Sequence, residues 1–176
     1  MPTKRTDFFQ LALDRVRYEH EQLSEQWRQL DSKAQSTATI AGIFMAGAFA
    51  FLQSSSVQLT VGQKFLFFLV ISALVLSIAF AVGSMLVESI PMPPTSGKMS
   101  EMLGDILQKP ESELDERYDG LLSDTINPWI AVNSSLLHKI EGKGGKIKVS
   151  QEALLAAAAG LALLTLLVLF CPPATK

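Results

Sequence analysis

The chain has 176 residues, the length of about one domain, and carries 15 Lys and Arg against 17 Asp and Glu, for a net charge of −2. Hydrophobic residues make up 48% and charged residues 18%, with a mean hydropathy of +0.28, whereas soluble proteins average roughly 25% charged residues. This composition argues against a soluble globular enzyme and for a small integral membrane protein. The absence of a basic excess also argues against nucleic-acid binding.

The first 33 residues predict an amphipathic helix with a heptad seam. Its apolar positions recur at steps of 4 and 3, an average period of 3.5, and His20 is the one polar member. We interpret His20 as a polar residue that sets the register of the seam or as a pH-sensitive switch. The seam requires a partner, either a second copy of the helix or a helix around residues 128–141. Its members are Phe9, Leu13, Val16, His20, Leu23, Trp27, Leu30 and Ala34.

Three uncharged apolar runs, residues 34–52, 65–87 and 153–171, hold most of the hydrophobic excess and are 19, 23 and 19 residues long. About 20 apolar residues in a helix cross a hydrocarbon core roughly 30 Å thick. A central charge costs at least ~2.5 kcal/mol on insertion, and none of the runs contains one. We therefore predict three transmembrane helices, over residues 34–52, 64–87 and 152–171. Because no Pro or Gly lies between Thr3 and Ile40, the first should continue the amphipathic helix without a break, from about residue 7.

Small residues repeat every fourth position in the first predicted span. Such spacing lets two helices approach closely in lipid. The stripe therefore predicts either an oligomer or pore face, or packing against the second and third spans. Its members are Ala38, Gly42, Ala46 and Ala50.

Residues 88–151 predict a small helical insert between the second and third spans. A proline-rich connector leads into short helices at about 98–108 and 110–123. Asn127 and Pro128 predict the start of a further helix, as N-cap and first helical residue. Three glycines, Gly142, Gly144 and Gly145, then predict a flexible break, with Lys139, Lys143, Lys146 and Lys148 around it. These lysines predict anchoring to anionic headgroups or a phosphate site beside a glycine-rich turn.

The distribution of basic residues predicts the topology. Thirteen of the 15 Lys and Arg lie in residues 1–33 and 88–151, and only Lys64 and Lys176 lie elsewhere. The positive-inside rule places those two segments in the cytoplasm, and the loop 53–63 and the tail 172–176 outside. We expect an all-α protein of the bacterial inner membrane with a cytoplasmic N-terminus. The sequence contains no catalytic motif and no cluster with metal-ligand spacing, so we expect no enzymatic activity, metal or cofactor.

The stretch from Leu30 through Asp31, Lys33 and Ala34 to Gln35 leads from the first helix into its membrane segment. This entrance resembles that of the Pycsar transmembrane effectors of bacterial anti-phage defence, with SLATT-type effectors as near relatives. The layout is also similar, with a helix, two close spans, a polar insert, and an Asn-Ser pair with basic residues before the last span.

The resemblance implies a receptor for a cyclic pyrimidine mononucleotide, cCMP or cUMP, that disrupts the inner membrane and arrests growth. Its implied ligand-binding residues are Trp27, Arg28, Asp31, Lys33, Trp129, Asn133 and Lys139. In this interpretation cations meet the phosphate, Asp or Asn contacts base or ribose, and a Trp stacks on the base. The alternative for Asp31 and Lys33 is a helix-to-membrane junction whose charges pair with each other or with headgroups. The alternative for the whole chain is a constitutive oligomeric scaffold or channel subunit without a nucleotide ligand.

Overall fold

The structure, a computed structural model, describes residues 4–53, 59–86 and 114–170, and the side chains of residues 11–53, 59–86 and 126–170. Every secondary-structure element in these ranges is an α-helix: α1 Lys4–Gln53, α2 Val61–Met85 and α3 Leu114–Phe170. Each contains a stretch long and apolar enough to cross a membrane. The predictions of an all-α chain and of three long apolar helices are confirmed, and they indicate a multi-pass membrane protein. The predicted helix at 98–108, residues 54–58 of the loop 53–63 and the tail 172–176 lie outside the described residues.

Helix α1 is one unbroken helix of 50 residues, as the absence of Pro and Gly in its first part predicts. Its buried positions follow the predicted heptad seam and continue it beyond Ala34 into the apolar segment. The membrane half of the helix therefore keeps the same inward face as the amphipathic half. The buried positions are Val16, Leu23, Trp27, Ala34, Thr37, Ala41 and Ala48.

Helix α2 begins at a capping box. The Thr60 backbone N–H donates to Gln63 Oε1 at 2.8 Å, and the Gln63 N–H donates to Thr60 Oγ1 at 3.4 Å. These two bonds satisfy N–H groups that a helix start leaves unpaired. The helix therefore starts three residues before the predicted position 64. Its buried residues recur at steps of 4 and 3, at Gln63, Phe67, Val70, Leu74, Ser77, Ala81 and Ser84.

Helix α3 corrects two predictions. It runs without interruption from Leu114 to Phe170, so Asn127 and Pro128 do not start a helix and the three glycines from Gly142 to Gly145 do not break one. Pro128 removes one backbone hydrogen bond, and each glycine costs about 1 kcal/mol relative to Ala in a helix. Packing outweighs these local penalties, since buried side chains of α3 lie on both sides of the glycines. They are Asn133, Leu136, Lys143, Ile147, Ser150, Ala157 and Leu164.

The chain forms two compact units, which are described separately. Unit 1 comprises Met1–Trp27 and Glu88–Glu141, and unit 2 comprises Arg28–Val87 and Gly142–Lys176. In unit 1, Leu23, Trp27 and Leu136 form a buried cluster against Ile140.

The core of unit 2 has two layers. One contains Ala41, Val70, Leu74 and Ala157, and the other contains Ala48, Phe67 and Leu164. Each layer combines large residues of α2, or of α2 and α3, with an alanine of another helix, which lets the helices approach closely.

Helices α2 and α3 also meet at a pair of buried serines. Ser77 Oγ donates to the Ser150 carbonyl at 2.8 Å, and Ser150 Oγ donates to the Ser77 carbonyl at 2.7 Å. Further along, a Cβ on Gly160 would lie 2.6 Å from Cγ2 of Val70, so only glycine fits there. Interhelical hydrogen bonds and close approach at small residues are the forces that associate helices in lipid, where the hydrophobic effect is absent.

Candidate functional site

The seven residues implied as ligand contacts fall into both units. Trp27, Trp129, Asn133 and Lys139 belong to unit 1, whereas Arg28, Asp31 and Lys33 belong to unit 2. The structure brings two of the seven to the same side chain, His20 of α1, and pairs a third with a lysine that the site prediction omitted.

Asn133 connects α3 to α1 within unit 1. Its side chain is buried, with 4% of the residue exposed. The amide Nδ2 donates to the Val16 carbonyl at 3.1 Å, and the amide Oδ1 lies 3.0 Å from Nδ1 of His20. One side chain of α3 therefore contacts α1 at two positions four residues apart.

These contacts determine that one ring nitrogen of His20, Nδ1, carries a hydrogen. A carbonyl oxygen accepts only, so the Val16 carbonyl requires the NH₂ end of the Asn133 amide. The amide oxygen then faces His20, and Nδ1 must carry a hydrogen to donate to it. In the neutral ring the other nitrogen, Nε2, is consequently an acceptor.

Trp129 also contacts the imidazole of His20. Its ring meets that of His20 edge to face, with centroids 5.4 Å apart and planes at 86°. This is a favoured geometry for aromatic pairs. Among the residues that the structure describes, the buried indole Nε1 has no hydrogen-bond partner, although Trp129 as a whole is half-buried. A buried donor without an acceptor is rare and requires an explanation. We name His20, Trp129 and Asn133 the His20 cluster.

Trp27 belongs to the core of unit 1 and not to the His20 cluster. It is 9% exposed and packs with Leu23 and Leu136. Its ring therefore presents no open face on which a base stacks in this conformation. Lys139 is half-buried and engaged in a contact of its own.

In unit 2, Asp31 pairs with Lys143. The Asp31 Oδ1 and Lys143 Nζ atoms are 2.5 Å apart, and the lysine side chain is 5% exposed whereas that of the aspartate is 42% exposed. One of the two predictions for these lysines is a phosphate site beside a glycine-rich turn. The turn is wrong, because Lys143 is part of the continuous helix α3. Lys33 is exposed, as is Arg28, which has a partner of its own.

The residues predicted to pack divide into two groups, an inward-facing seam and a largely exposed small-residue stripe. Leu23 is buried, and His20 and Leu30 are half-buried, on the inward face of α1. The small-residue stripe lies elsewhere, since Gly42, Ala46 and Ala50 are exposed and Ala38 is half-buried. Ala34, Thr37, Ala41 and Ala48 form the buried face instead. Packing of the stripe against the other spans is therefore not observed, and the oligomer or pore alternative stays a prediction.

Sequence reasoning missed three residues with defined roles. Lys143 was grouped with its neighbours, although it alone lies on the heptad that continues through Ile147 and Ser150. Ser77 lies in an apolar run and Ser150 in a polar stretch, and in neither does a single hydroxyl form a pattern. Extending the 3.5-residue spacing of the buried positions Ala157 and Leu164 back along α3 identifies both Lys143 and Ser150 as inward-facing.

Within the part of the chain that the structure describes, no group of three or more His, Cys, Asp or Glu is arranged to hold a metal ion. Comparison of the chain with protein-family models, with curated proteins and with solved structures finds no match. The described residues and the resemblance at the entrance of the first span are therefore the basis for proposing a function.

Proposed function

We propose that the chain is a membrane effector of anti-phage defence that senses a cyclic pyrimidine mononucleotide and disrupts the bacterial inner membrane. Three helices long and apolar enough to cross a bilayer supply the membrane part. The entrance around Asp31, Lys33 and Ala34 supplies the resemblance. In this proposal the N-terminus and the segment between the second and third spans are cytoplasmic, because they carry most of the Lys and Arg. The protein acts without catalysis.

The unpaired indole N–H of Trp129 is the observation that carries the proposed sensor. It is a buried donor beside an imidazole and an amide, and a pyrimidine carbonyl is an acceptor of the right kind. We propose Trp129, Asn133 and His20 as base contacts, with Lys139 as the cation for the phosphate.

Gating follows from a change of packing at the His20 cluster. A ligand shifts a conformational equilibrium only by as much as it prefers one state over the other. Going from 1:99 to 99:1 requires a preference of about 5.5 kcal/mol, which is within the range of a few charge-assisted hydrogen bonds and a stacked ring. Because one helix carries both His20 and the apolar segment 34–52, we propose that α1 transmits the shift to the membrane.

A growth experiment tests the proposal. The full-length protein is expressed in bacteria together with a nucleotide cyclase of pyrimidine or of purine specificity. We expect growth arrest and loss of membrane potential with the pyrimidine cyclase alone. Trp129→Phe keeps an aromatic ring at this position but removes the N–H, so it should abolish arrest. Trp27→Phe, at equal expression, should preserve arrest. Arrest that is independent of any cyclase contradicts the proposed ligand.

The second candidate function is a constitutive oligomeric scaffold or channel subunit. The stripe of Gly42, Ala46 and Ala50 favours it, because all three residues are exposed and nothing in the described chain lies within 4 Å of a Cβ placed on Gly42. In this case the stripe meets a second copy. Membrane leakage that requires no cyclase, and that Gly42→Leu removes, would support this candidate over the first.

A further inference from the structure

The Asp31–Lys143 pair has an asymmetry that a simple structural salt bridge does not require. The ammonium group belongs to a side chain that is 5% exposed, whereas its carboxylate partner is 42% exposed. Burying an ammonium costs several kcal/mol unless a counter-anion and hydrogen bonds offset it. The carboxylate that pairs with it is the more exposed member of the pair, so an anion from solvent would compete with Asp31 for Lys143.

The surroundings of the pair attract anions. Residues 28–33 and 143–152, which precede the apolar segments of α1 and α3 in unit 2, carry five basic side chains and two carboxylates, an excess of three positive charges. Both carboxylates are engaged, Asp31 with Lys143 and Glu152 with Lys148, whose Nζ is 3.9 Å from Glu152 Oε1. The basic residues are Arg28, Lys33, Lys143, Lys146 and Lys148.

Helix spacing places further cations beside the pair. Arg28 is three residues before Asp31 on α1, and Lys146 is three residues after Lys143 on α3. Residues three apart are neighbours on a helix surface. An anion in place of the Asp31 carboxylate would therefore meet Lys143 directly, with Arg28 and Lys146 within one turn. A phosphate offers more acceptor oxygens than the carboxylate and uses these donors better.

We propose that Lys143 is the primary ligand of a phosphate mono- or diester and that Asp31 is an internal anion that occupies this site until the phosphate displaces it. Two sources supply this chemistry, an anionic lipid headgroup at the membrane surface and a free phosphate ester. The site is distinct from the His20 cluster. It does not rest on the proposed nucleotide sensing.

The test compares ligand-induced stabilisation of the full-length protein in neutral detergent. The probes are phosphatidylglycerol against phosphatidylcholine in mixed micelles, and inorganic phosphate against chloride at equal ionic strength. Asp31→Asn removes the competing charge, and with it the carboxylate that pairs with the buried Lys143. We expect this variant to melt at a lower temperature without ligand and to bind the anionic probe about tenfold more tightly than the wild type.

Matched lysine variants identify the ligand-binding residue. Lys143→Met should lose the response to the anionic probe, whereas Lys148→Met, which removes an exposed lysine of the same helix, should keep it. Lys143→Arg preserves the charge and should keep part of the response to the anionic probe. This variant provides the test if Lys143→Met does not fold. A response to phosphatidylglycerol alone assigns the site to lipid, and a response to inorganic phosphate as well assigns it to free phosphate esters.

Three results would overturn the proposal. One is equal responses of Lys143→Met and Lys148→Met. Another is an Asp31→Asn variant that is less stable but binds the anionic probes no more tightly than the wild type. The third is the absence of any response to phosphatidylglycerol or phosphate in both wild type and Asp31→Asn. None of these measurements involves a cyclic nucleotide, so the outcome is separable from that of the proposed function.

Discussion

Asn133 of α3 and Val16 of α1 are joined by a hydrogen bond of 3.1 Å from the amide Nδ2 to the backbone carbonyl, and this bond orients the Asn133 oxygen toward His20. A buried amide that uses both ends specifies one register between two helices. A one-residue slip would leave both of its groups unpaired. Polar residues in otherwise apolar seams fix register in the same way.

Replacing Asn133 with Leu should therefore destabilise unit 1. The change removes two hydrogen bonds and leaves Nδ1 of His20 without its acceptor, and we expect a loss of about 1–3 kcal/mol. Chemical unfolding of the detergent-solubilised protein measures it. Ser134→Ala, at the neighbouring exposed position, is the control and should change stability by less than about 0.5 kcal/mol. An equal effect of both substitutions would contradict the role of Asn133.

The two halves of the Asp31–Lys143 pair should differ in their contribution to stability. Asp31→Asn removes the carboxylate that pairs with the buried Lys143 ammonium, and we expect a loss of about 3 kcal/mol. Lys143→Met leaves only a half-exposed carboxylate, which water hydrates, so its loss should be smaller. The two unfolding free energies, measured under the same conditions, check this order. The reverse order would show that Lys143 is not the desolvated partner.

Gly160→Ala should destabilise unit 2, because the new Cβ would lie 2.6 Å from Cγ2 of Val70. Overpacking of this kind costs about 1–3 kcal/mol, and Val70→Ala in the same chain should restore part of it. Gly42→Ala is the matched control, since nothing lies within 4 Å of its Cβ position. There, alanine should stabilise the helix by up to ~1 kcal/mol. A second copy packed on Gly42 would instead make this control weaken the oligomer, which size-exclusion chromatography detects.

The Ser77 and Ser150 hydroxyls should be coupled. Each donates to the carbonyl of the other residue, so removing one changes the surroundings of the second. A double-mutant cycle with Ser77→Ala and Ser150→Ala should give a coupling free energy of about 0.6 kcal/mol, the average for hydrogen bonds between membrane helices. Additive effects would indicate that the two serines contribute independently.

Periodic features were the predictable part of the fold. The heptad seam of α1 follows from eight positions at 3.5-residue spacing. Helix α2 follows from a long apolar run, which begins just after the capping residues Thr60 and Gln63. Local signals at Pro128 and the three glycines favoured boundaries that the structure does not have. Local propensity favours a break of the helix at Pro128 and at the glycines. Burial of Asn133, Lys143 and Ile147 on one face of α3 outweighs this local preference.

The site was predictable only in part. Asn133 and Trp129 were expected at the site because the resemblance to the effector family implies them. That both contact His20 depends on the register between α1 and α3, which no local pattern encodes. The partner of Asp31 likewise depends on which of four neighbouring lysines faces inward.

The most direct test of the proposed function is a thermal unfolding experiment with cCMP, cUMP, cAMP and cGMP on the full-length protein in detergent. At a concentration of 100 times Kd, a ligand stabilises by about 2.7 kcal/mol. Roughly 2–4 °C accompany each kcal/mol for a chain of this size, so we predict a shift of several degrees. The shift should occur with one or both pyrimidine nucleotides and disappear in Trp129→Phe. A cooperative transition that no nucleotide shifts, or that purine nucleotides shift equally, would contradict pyrimidine sensing.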